Sequence, residues 1–264
     1  YGDVTSIVRV TLELVPKQSS QQTLVLPYHY VEWVQAAIYR SMQEDVAAAI
    51  HDVGFPVEKR SFRLFSFSRI QGRFRQAKET IEFVFPVRLI IASPLKLLIQ
   101  QFVNALVMRN EFILGPQVCR IASVSVDDYV VPGSRVRVRT LSPLTVHSTL
   151  NKPDGSHYTV YFHPKEHEFQ QLIIENLLRK YTVVTGKPFV MEPAESLPFR
   201  IRVKNEPKLN IVRYKDTVIK GYSGVFDIEG PKDLLQVGWD AGFGARNSQG
   251  FGLVEMAGSY SKGV

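Results

Sequence analysis

The sequence predicts an α+β fold of two tandem ferredoxin-like domains, and three observations predict it. The N-terminal half reads as β-α-β-β-α-β, the ferredoxin-like order. A second, looser run of the same elements follows. Between the two, Asp127 to Ser134 carries Pro132-Gly133, residues suited to a junction rather than to an element. The domains are therefore placed at residues 1–126 and 135–264. The chain has 264 residues, long for one domain and comfortable for two of about 130.

Taken in order, Ser6 to Leu14 (SIVRVTLEL) alternates apolar and polar, the pattern of a half-buried strand. A helix is expected from about Tyr30 to Met42, because Val31, Val34, Ile38 and Met42 repeat along one face. A short second helix, roughly Glu44 to Asp52, contains VAAAI and stops before Gly54 and Pro56. Two strands follow near Phe62 to Ile70 and Ile81 to Ile91, joined by the basic segment QGRFRQAKE. Ser93-Pro94 reads as a helix start, with serine as N-cap and proline in the first turn. Leu95, Leu98, Ile99, Phe102 and Leu106 continue that helix, and Val118 to Val126 closes the set as a strand. In the second half, Arg135 to Thr140 and Tyr158 to Phe162 read as strands. A helix started by Pro164 runs from about Lys165 to Tyr181. Phe199 to Val203, Asn210 to Tyr214 and Val218 to Phe226 are short strands. Asp233 to Gly238 is a short helix or turn, and Gly250 to Met256 a last strand.

Composition narrows the function. Hydrophobic residues are 45% and charged residues 22%, ordinary for a chain that buries a core. The net charge of +7 and pI near 9.4 suit a polyanionic partner. Cys119 is the sole cysteine; it closes no disulfide within the chain and builds no zinc site alone. A reducing, cytoplasmic setting is the expectation. The most apolar stretch, Ile81 to Ile99, is interrupted by Glu82, Pro86, Arg88, Pro94 and Lys96, where a membrane span needs about 20 apolar residues. No membrane association is expected. The N-terminus shows no signal-peptide pattern, although it begins with Tyr1 and not Met.

The strongest local signal is GWDAGFGARNSQGFGLVEM, from Gly238 to Met256. Gly242, Gly244, Gly250 and Gly252 allow positive φ and a close backbone approach, so that N–H groups can face phosphate oxygens, with Arg246 adding charge. A dinucleotide-binding G-x-G-x-x-G would need glycine where Asn247 stands, and a Walker loop would need Gly-Lys-Ser/Thr. By itself the segment is equally well a tight connection between two elements.

This loop is similar to the C-terminal glycine-rich motif of the CRISPR-associated repeat-processing endoribonucleases, members of the repeat-associated mysterious protein (RAMP) superfamily. The preceding LLQVGWDAG resembles the same family, as do TLSPLTV (Thr140 to Val146) and EFQQLIIENLLRKY (Glu168 to Tyr181). AAIYRSM, AAIHD and FRLFSFSRI resemble its first helix, its histidine and the strand after it. The resemblance spans nearly the whole chain and implies two ferredoxin-like domains, in agreement with the element order. It also implies a metal-independent Tyr-His-Lys site that cuts precursor CRISPR RNA. Tyr39 matches the tyrosine of the first helix and His51 the histidine. The basic member stays open between Lys59, favoured by residue type, and Arg63, favoured by its place just before LFSFS.

The residue types suit the chemistry. In RNA cleavage without metal the 2′-hydroxyl attacks its own phosphate, a base takes its proton, an acid protonates the leaving 5′-oxygen, and a cation stabilises phosphorus-bound charge. Histidine titrates near working pH, and lysine or arginine supplies the charge. The bland alternatives are a rim-of-core role for Tyr39 and a solvated helix-end role for His51. His163 and His167 are an i, i+4 pair, but Pro164 intervenes and no third ligand is evident. No metal and no cofactor is expected.

For RNA, Val57 to Lys78 holds seven basic residues (Lys59, Arg60, Arg63, Arg69, Arg73, Arg75, Lys78) against Glu58, with phenylalanines interleaved. Arg135, Arg137 and Arg139 lie on one face of a strand by alternation, and Arg200, Arg202 and Lys204 repeat the pattern, predicting a cationic sheet surface. The expected partner is CRISPR repeat RNA, with a CRISPR effector complex a second one, and the chain a monomer or homodimer. Two other readings are a non-catalytic RNA-binding subunit of such a complex and an unrelated ferredoxin-like RNA-binding module. The last lacks the aromatic strand motif it would need.

Overall fold

The computed structural model describes residues 9–57, 60–151, 153, 155–190 and 199–258. The first half is built on strand Arg9–Pro16, whose Val10, Leu12 and Leu14 point to one face and are fully buried. That strand is central in an antiparallel sheet ordered Ser66–Phe67, Val87–Ala92, Arg9–Pro16, Gln117–Asp127, Glu111–Leu114. Helices Val31–Arg40 and Lys96–Arg109 cover its apolar face. Val34, Ala37 and Ile38 from the first and Leu98, Ile99, Phe102 and Leu106 from the second share one core with the strand leucines.

The second half repeats the plan. Its sheet runs Arg200–Val203, Val225–Glu229, Arg135–Thr140, Val254–Met256, all antiparallel, under helices His167–Thr185 and Lys232–Ala241. Phe169, Ile173 and Leu177 pack there on Val136, Val138, Phe226 and Ile228. With the core strands of each half counted in chain order, both sheets run 2-3-1-4, the ferredoxin-like arrangement. The first half adds Glu111–Leu114 at its edge. Among the described residues no helix is long and apolar enough to cross a membrane.

Several element expectations need correction. The strand expected over residues 62–70 is two pieces. Arg60–Phe62 folds back on Phe55–Val57, and only Ser66–Phe67 joins the core sheet, because buried Leu64 adopts a left-handed φ of 51° between them. The strand expected over 81–91 is also divided. Thr80–Val84 pairs with Thr23–Pro27 and Phe74–Gln76 in a separate sheet, and Val87–Ala92 enters the core. Pro86, with no N–H for a ladder, stands at the break. The helix expected from Ser93 begins at Lys96. The Ser93 hydroxyl donates to the Leu64 carbonyl (2.7 Å) and accepts from the Leu95 N–H (3.1 Å), so it closes a turn ahead of the helix. The short helix or turn expected over Asp233 to Gly238 is a helix, longer than expected, Lys232–Ala241. The last strand is only Val254–Met256, since Gly250 and Gly252 hold φ of 85° and 84°.

The halves meet through hairpin Lys208–Tyr214/Thr217–Ser223, which leans on the first helix. Tyr214 donates its hydroxyl to Gln35, and Gln35 donates to the Ser248 carbonyl (2.6 Å). The Lys215 N–H reaches Glu32. Val31 of the helix joins Val212, Tyr214, Ile219 and Phe251 in a small apolar cluster across the junction. Arg9, on the face of its strand opposite the first core, donates to the carbonyls of Val254 (2.7 Å) and Trp239 (2.9 Å), and its guanidinium lies 3.6 Å from the centroid of Trp239. Fully buried Phe67 lies where a Cβ on Gly250 would stand only 2.8 Å from its ring. We predict that Phe67→Ala, which empties this junction, lowers stability by about 3–5 kcal/mol in urea unfolding.

Candidate active site

The site begins where helix Glu44–Ala48 widens into a π-turn, Ala49–Val53. Ile50 is buried in the core, which turns its neighbour His51 outward, its side chain 63% exposed. Gly54 ends the turn at φ 60°, and a Cβ there would lie 2.5 Å from Ser61 Oγ and 2.9 Å from the Phe62 carbonyl oxygen. This close return carries Arg63 back over the turn. Its guanidinium donates to the carbonyl oxygens of His51 (2.9 Å) and Ser61 (3.3 Å).

Tyr39, in the last turn of helix Val31–Arg40, meets His51 edge to face, with ring centroids 5.2 Å apart, and meets Phe65 in the same way at 5.5 Å. Burial pushes its phenol up to about 12, against the pull of the Arg63 cation, so the hydroxyl keeps its proton near neutral pH. His51 Nδ1 lies 2.8 Å from Asp52 Oδ1. With Asp52 accepting from Nδ1–H, Nε2 carries the free lone pair. The structure thus brings Tyr39, His51 and Arg63 together. Lys59 lies outside the described residues, and for Arg60 only its place in strand Arg60–Phe62 is described.

These three line one wall of a polar cleft of about 880 Å³, and Lys180, Arg246 and Asn247 line the other. The glycine-rich loop is therefore opposite the histidine, but it is not the open phosphate cradle its sequence suggests. The N–H of Phe243 bonds the Gly252 carbonyl (2.9 Å), that of Ala245 bonds Thr145 (2.8 Å), and that of Gly252 bonds Pro143 (2.9 Å). Glycine is required for compactness. A Cβ on Gly252 would stand 2.1 Å from the Phe243 carbonyl oxygen, and one on Gly244 2.5 Å from that of Thr145. Asn247, expected to touch RNA, uses its carboxamide inside the loop, donating to Phe243 (3.2 Å) and Phe251 (3.0 Å) and accepting from Lys180 (2.7 Å). Gly242 and Gly244 give their carbonyls to the same lysine. Arg246 bonds Gln249 through one terminal nitrogen (3.1 Å) and lines the cleft.

Lys180 is the residue that sequence reasoning missed. It is 1% exposed, and its ammonium donates to the carbonyls of Gly242 (2.5 Å) and Gly244 (3.0 Å) and to Asn247 Oδ1. Its available signal was a lysine on the apolar face of the helix, one residue off the Phe169/Ile173/Leu177 stripe.

The other basic positions fall into two groups. Arg69 is held inside, donating to the Gly250 carbonyl (3.2 Å) with its cation 5.5 Å from the Phe251 ring centroid. Arg75 pairs with Glu82 at 2.7 Å, while Arg73 stands exposed beside exposed Phe74. The cationic face expected of Arg135, Arg137 and Arg139 is matched by acids on the flanking strands: Glu229 at 3.7 Å, Asp227 at 2.6 Å and Glu255 at 2.7 Å. Register explains this, because the strands beside theirs place an acid next to each arginine. Arg202 is exposed on the next strand. Among the described residues no three of His, Cys, Asp and Glu gather as a metal site would require. His163 and His167 build no site: His163 faces Glu206 at 3.9 Å and accepts from the Lys165 N–H.

Burial pushes the Lys180 amine down to about 7 from an ordinary 10.5. Between those values the unfolded chain holds more protons, so the contribution of Lys180 to stability rises with pH across that window. Lys180→Met should abolish this rise and, by leaving three buried oxygens without a donor, lower stability by about 3 kcal/mol or more. Urea unfolding below pH 7 and again inside the window reads both effects.

Residues 128–256 match the family model for CRISPR associated protein Cas6, C-terminal. The chain is 27% identical over 256 residues to the CRISPR-associated endoribonuclease Cas6 1 of Methanocaldococcus jannaschii, covering 94% of this chain and 92% of that protein. It is 27% identical over 262 residues to the CRISPR-associated endoribonuclease Cas6 of Pyrococcus furiosus, covering 96% and 91%. Among solved structures, its fold is similar to that of a CRISPR associated protein Cas6, with a TM-score of 0.76 at 24% identity over 95% of this chain and 99% of that one. It is also similar to the product of a Cas6-related gene from Pyrococcus furiosus, with a TM-score of 0.78 at 21% identity over 94% and 98%. The C-terminal half of the chain thus matches the Cas6 C-terminal family model, and nearly its whole length is similar to CRISPR-associated Cas6 endoribonucleases.

Proposed function

We propose that this chain is an endoribonuclease that cuts within the repeats of precursor CRISPR RNA, without a metal, by attack of a 2′-hydroxyl. The observation that carries the reading is the meeting of Tyr39, His51 and Arg63 on one wall of a polar cleft, in a chain whose relatives are named CRISPR-associated endoribonucleases. In this reading residues 1–126 form the domain bearing the catalytic residues, and residues 135–264 a second domain whose glycine-rich loop closes the cleft.

His51 Nε2 takes the 2′-hydroxyl proton as the 2′-oxygen bonds to phosphorus. The P–O5′ bond breaks, and the departing 5′-oxygen takes a proton from the Tyr39 phenol, which burial keeps protonated. The products are a 2′,3′-cyclic phosphate and a 5′-hydroxyl. Arg63 stabilises the charge on the phosphoryl oxygens, being always cationic, and takes no part in proton transfer. Asp52 fixes the imidazole tautomer from Nδ1. Arg73, Arg202 and Arg246 are cationic positions for the RNA backbone, which is where a chain of net charge +7 would draw its affinity. A non-catalytic RNA-binding subunit of a CRISPR effector complex is the second reading, favoured by arginine standing at position 63, where the resemblance implies lysine.

The test is incubation of the purified chain with labelled repeat RNA in EDTA. Cleavage at one site, abolished by a 2′-deoxy at that site, is the expected result. His51→Ala should slow it about 10²–10⁴-fold and Tyr39→Phe at least about tenfold, with RNA affinity kept. Binding without cleavage would establish the second reading instead. Because the phenol holds its proton up to about 12, the wild-type rate should not fall through Tyr39 between neutral pH and pH 10.

A further inference from the structure

Asn176 lies one helical turn before Lys180 on helix His167–Thr185, hence on the same face. It is 5% exposed and lines the cleft that holds Tyr39 and His51, yet its buried carboxamide oxygen meets no donor among the described residues. A buried acceptor without a partner is costly, and its helix neighbours Ile173 and Leu177 show what packing alone would place there. On the same wall the Arg246 Nε is likewise buried with no acceptor. The wall facing the histidine thus offers one unpaired acceptor and one unpaired donor. Lys180 beneath them already serves three oxygens and has no N–H left to offer.

We propose that Asn176 and Arg246 form a nucleotide subsite on the second wall of the cleft, beside the scissile phosphate. Arg246 binds a phosphate oxygen. The Asn176 oxygen accepts from a hydroxyl or amino group of the nucleotide, since a phosphodiester has no hydrogen to give. RNA carries two such donors, the ribose 2′-hydroxyl and the amino groups on base edges. This inference rests on the reading of the chain as an RNA-cleaving protein and assigns it a residue that discriminates among RNAs.

The experiment uses the full chain and repeat RNA made uncleavable by a 2′-deoxy at the cut site. Asn176→Leu keeps the side-chain volume and removes the oxygen. The expected result is an unfolding midpoint unchanged or raised, with RNA affinity weakened roughly tenfold, the worth of one hydrogen bond to a desolvated acceptor. A second scan, replacing one 2′-hydroxyl or one base amino group at a time, separates the donors. A single replacement should weaken wild type and leave Asn176→Leu unaffected, and its identity names the group. Asn176→Ala carries the same reading should the leucine variant fail to fold. Wild-type affinity in the variants, or a fall in stability that accounts for the lost binding, overturns the subsite while cleavage by wild type keeps the enzyme reading. Failure of wild type to bind repeat RNA overturns both.

Discussion

The Lys180 ammonium under the glycine-rich loop is the interaction on which the rest of this structure depends. A buried amine needs hydrogen bonds in place of its water; three loop oxygens supply them and offset part of the cost of the charge, the remainder appearing as its lowered pKa. In return the lysine fixes the loop's path. Because residues 242–252 are held, Gly250 and Phe251 are pressed against Phe67 and Arg69 of the first half, and Ser248 reaches Gln35 of the first helix. One helix of the second half therefore sets the width of the cleft that the first half lines with its histidine.

The same constraint explains why the loop does not behave as a generic phosphate cradle. Glycine-rich segments bind anions when their N–H groups point outward. Here several point inward, and the glycines serve close packing of backbone on backbone. What remains for a polyanion is the charge of Arg246 and the unpaired edge of Asn176, both on the cleft. A loop that is rigid and internally satisfied is a good wall for a site because it costs little order on binding.

Charge on the opposite wall follows from geometry rather than composition. Tyr39 is half-buried against Phe65, so its phenol stays neutral, while His51 and Arg63 meet on a turn that Gly54 folds sharply. The net charge of +7 gave no hint of which cations are available. Arg135, Arg137 and Arg139 look alike in sequence, yet each stands beside a carboxylate, and Arg69 bonds a carbonyl inside the junction.

The sequence by itself determined the two ferredoxin-like halves, the positions of most helices, and Tyr39, His51 and the glycine-rich segment as the places to look. Periodicity encodes the elements, because a strand or helix must bury one face wherever it sits, while Tyr39 and His51 were singled out by the family resemblance. It did not determine where a strand breaks: buried Leu64 turns the chain at a left-handed φ, and a separate three-stranded sheet takes residues 80–84. Nor did it reveal Lys180, whose meaning lies in three oxygens more than sixty residues away along the chain. Pairing across strands and burial of a charge under a distant loop are contacts between segments remote in sequence. Only the tertiary structure decides them, since no local pattern records which surfaces will meet.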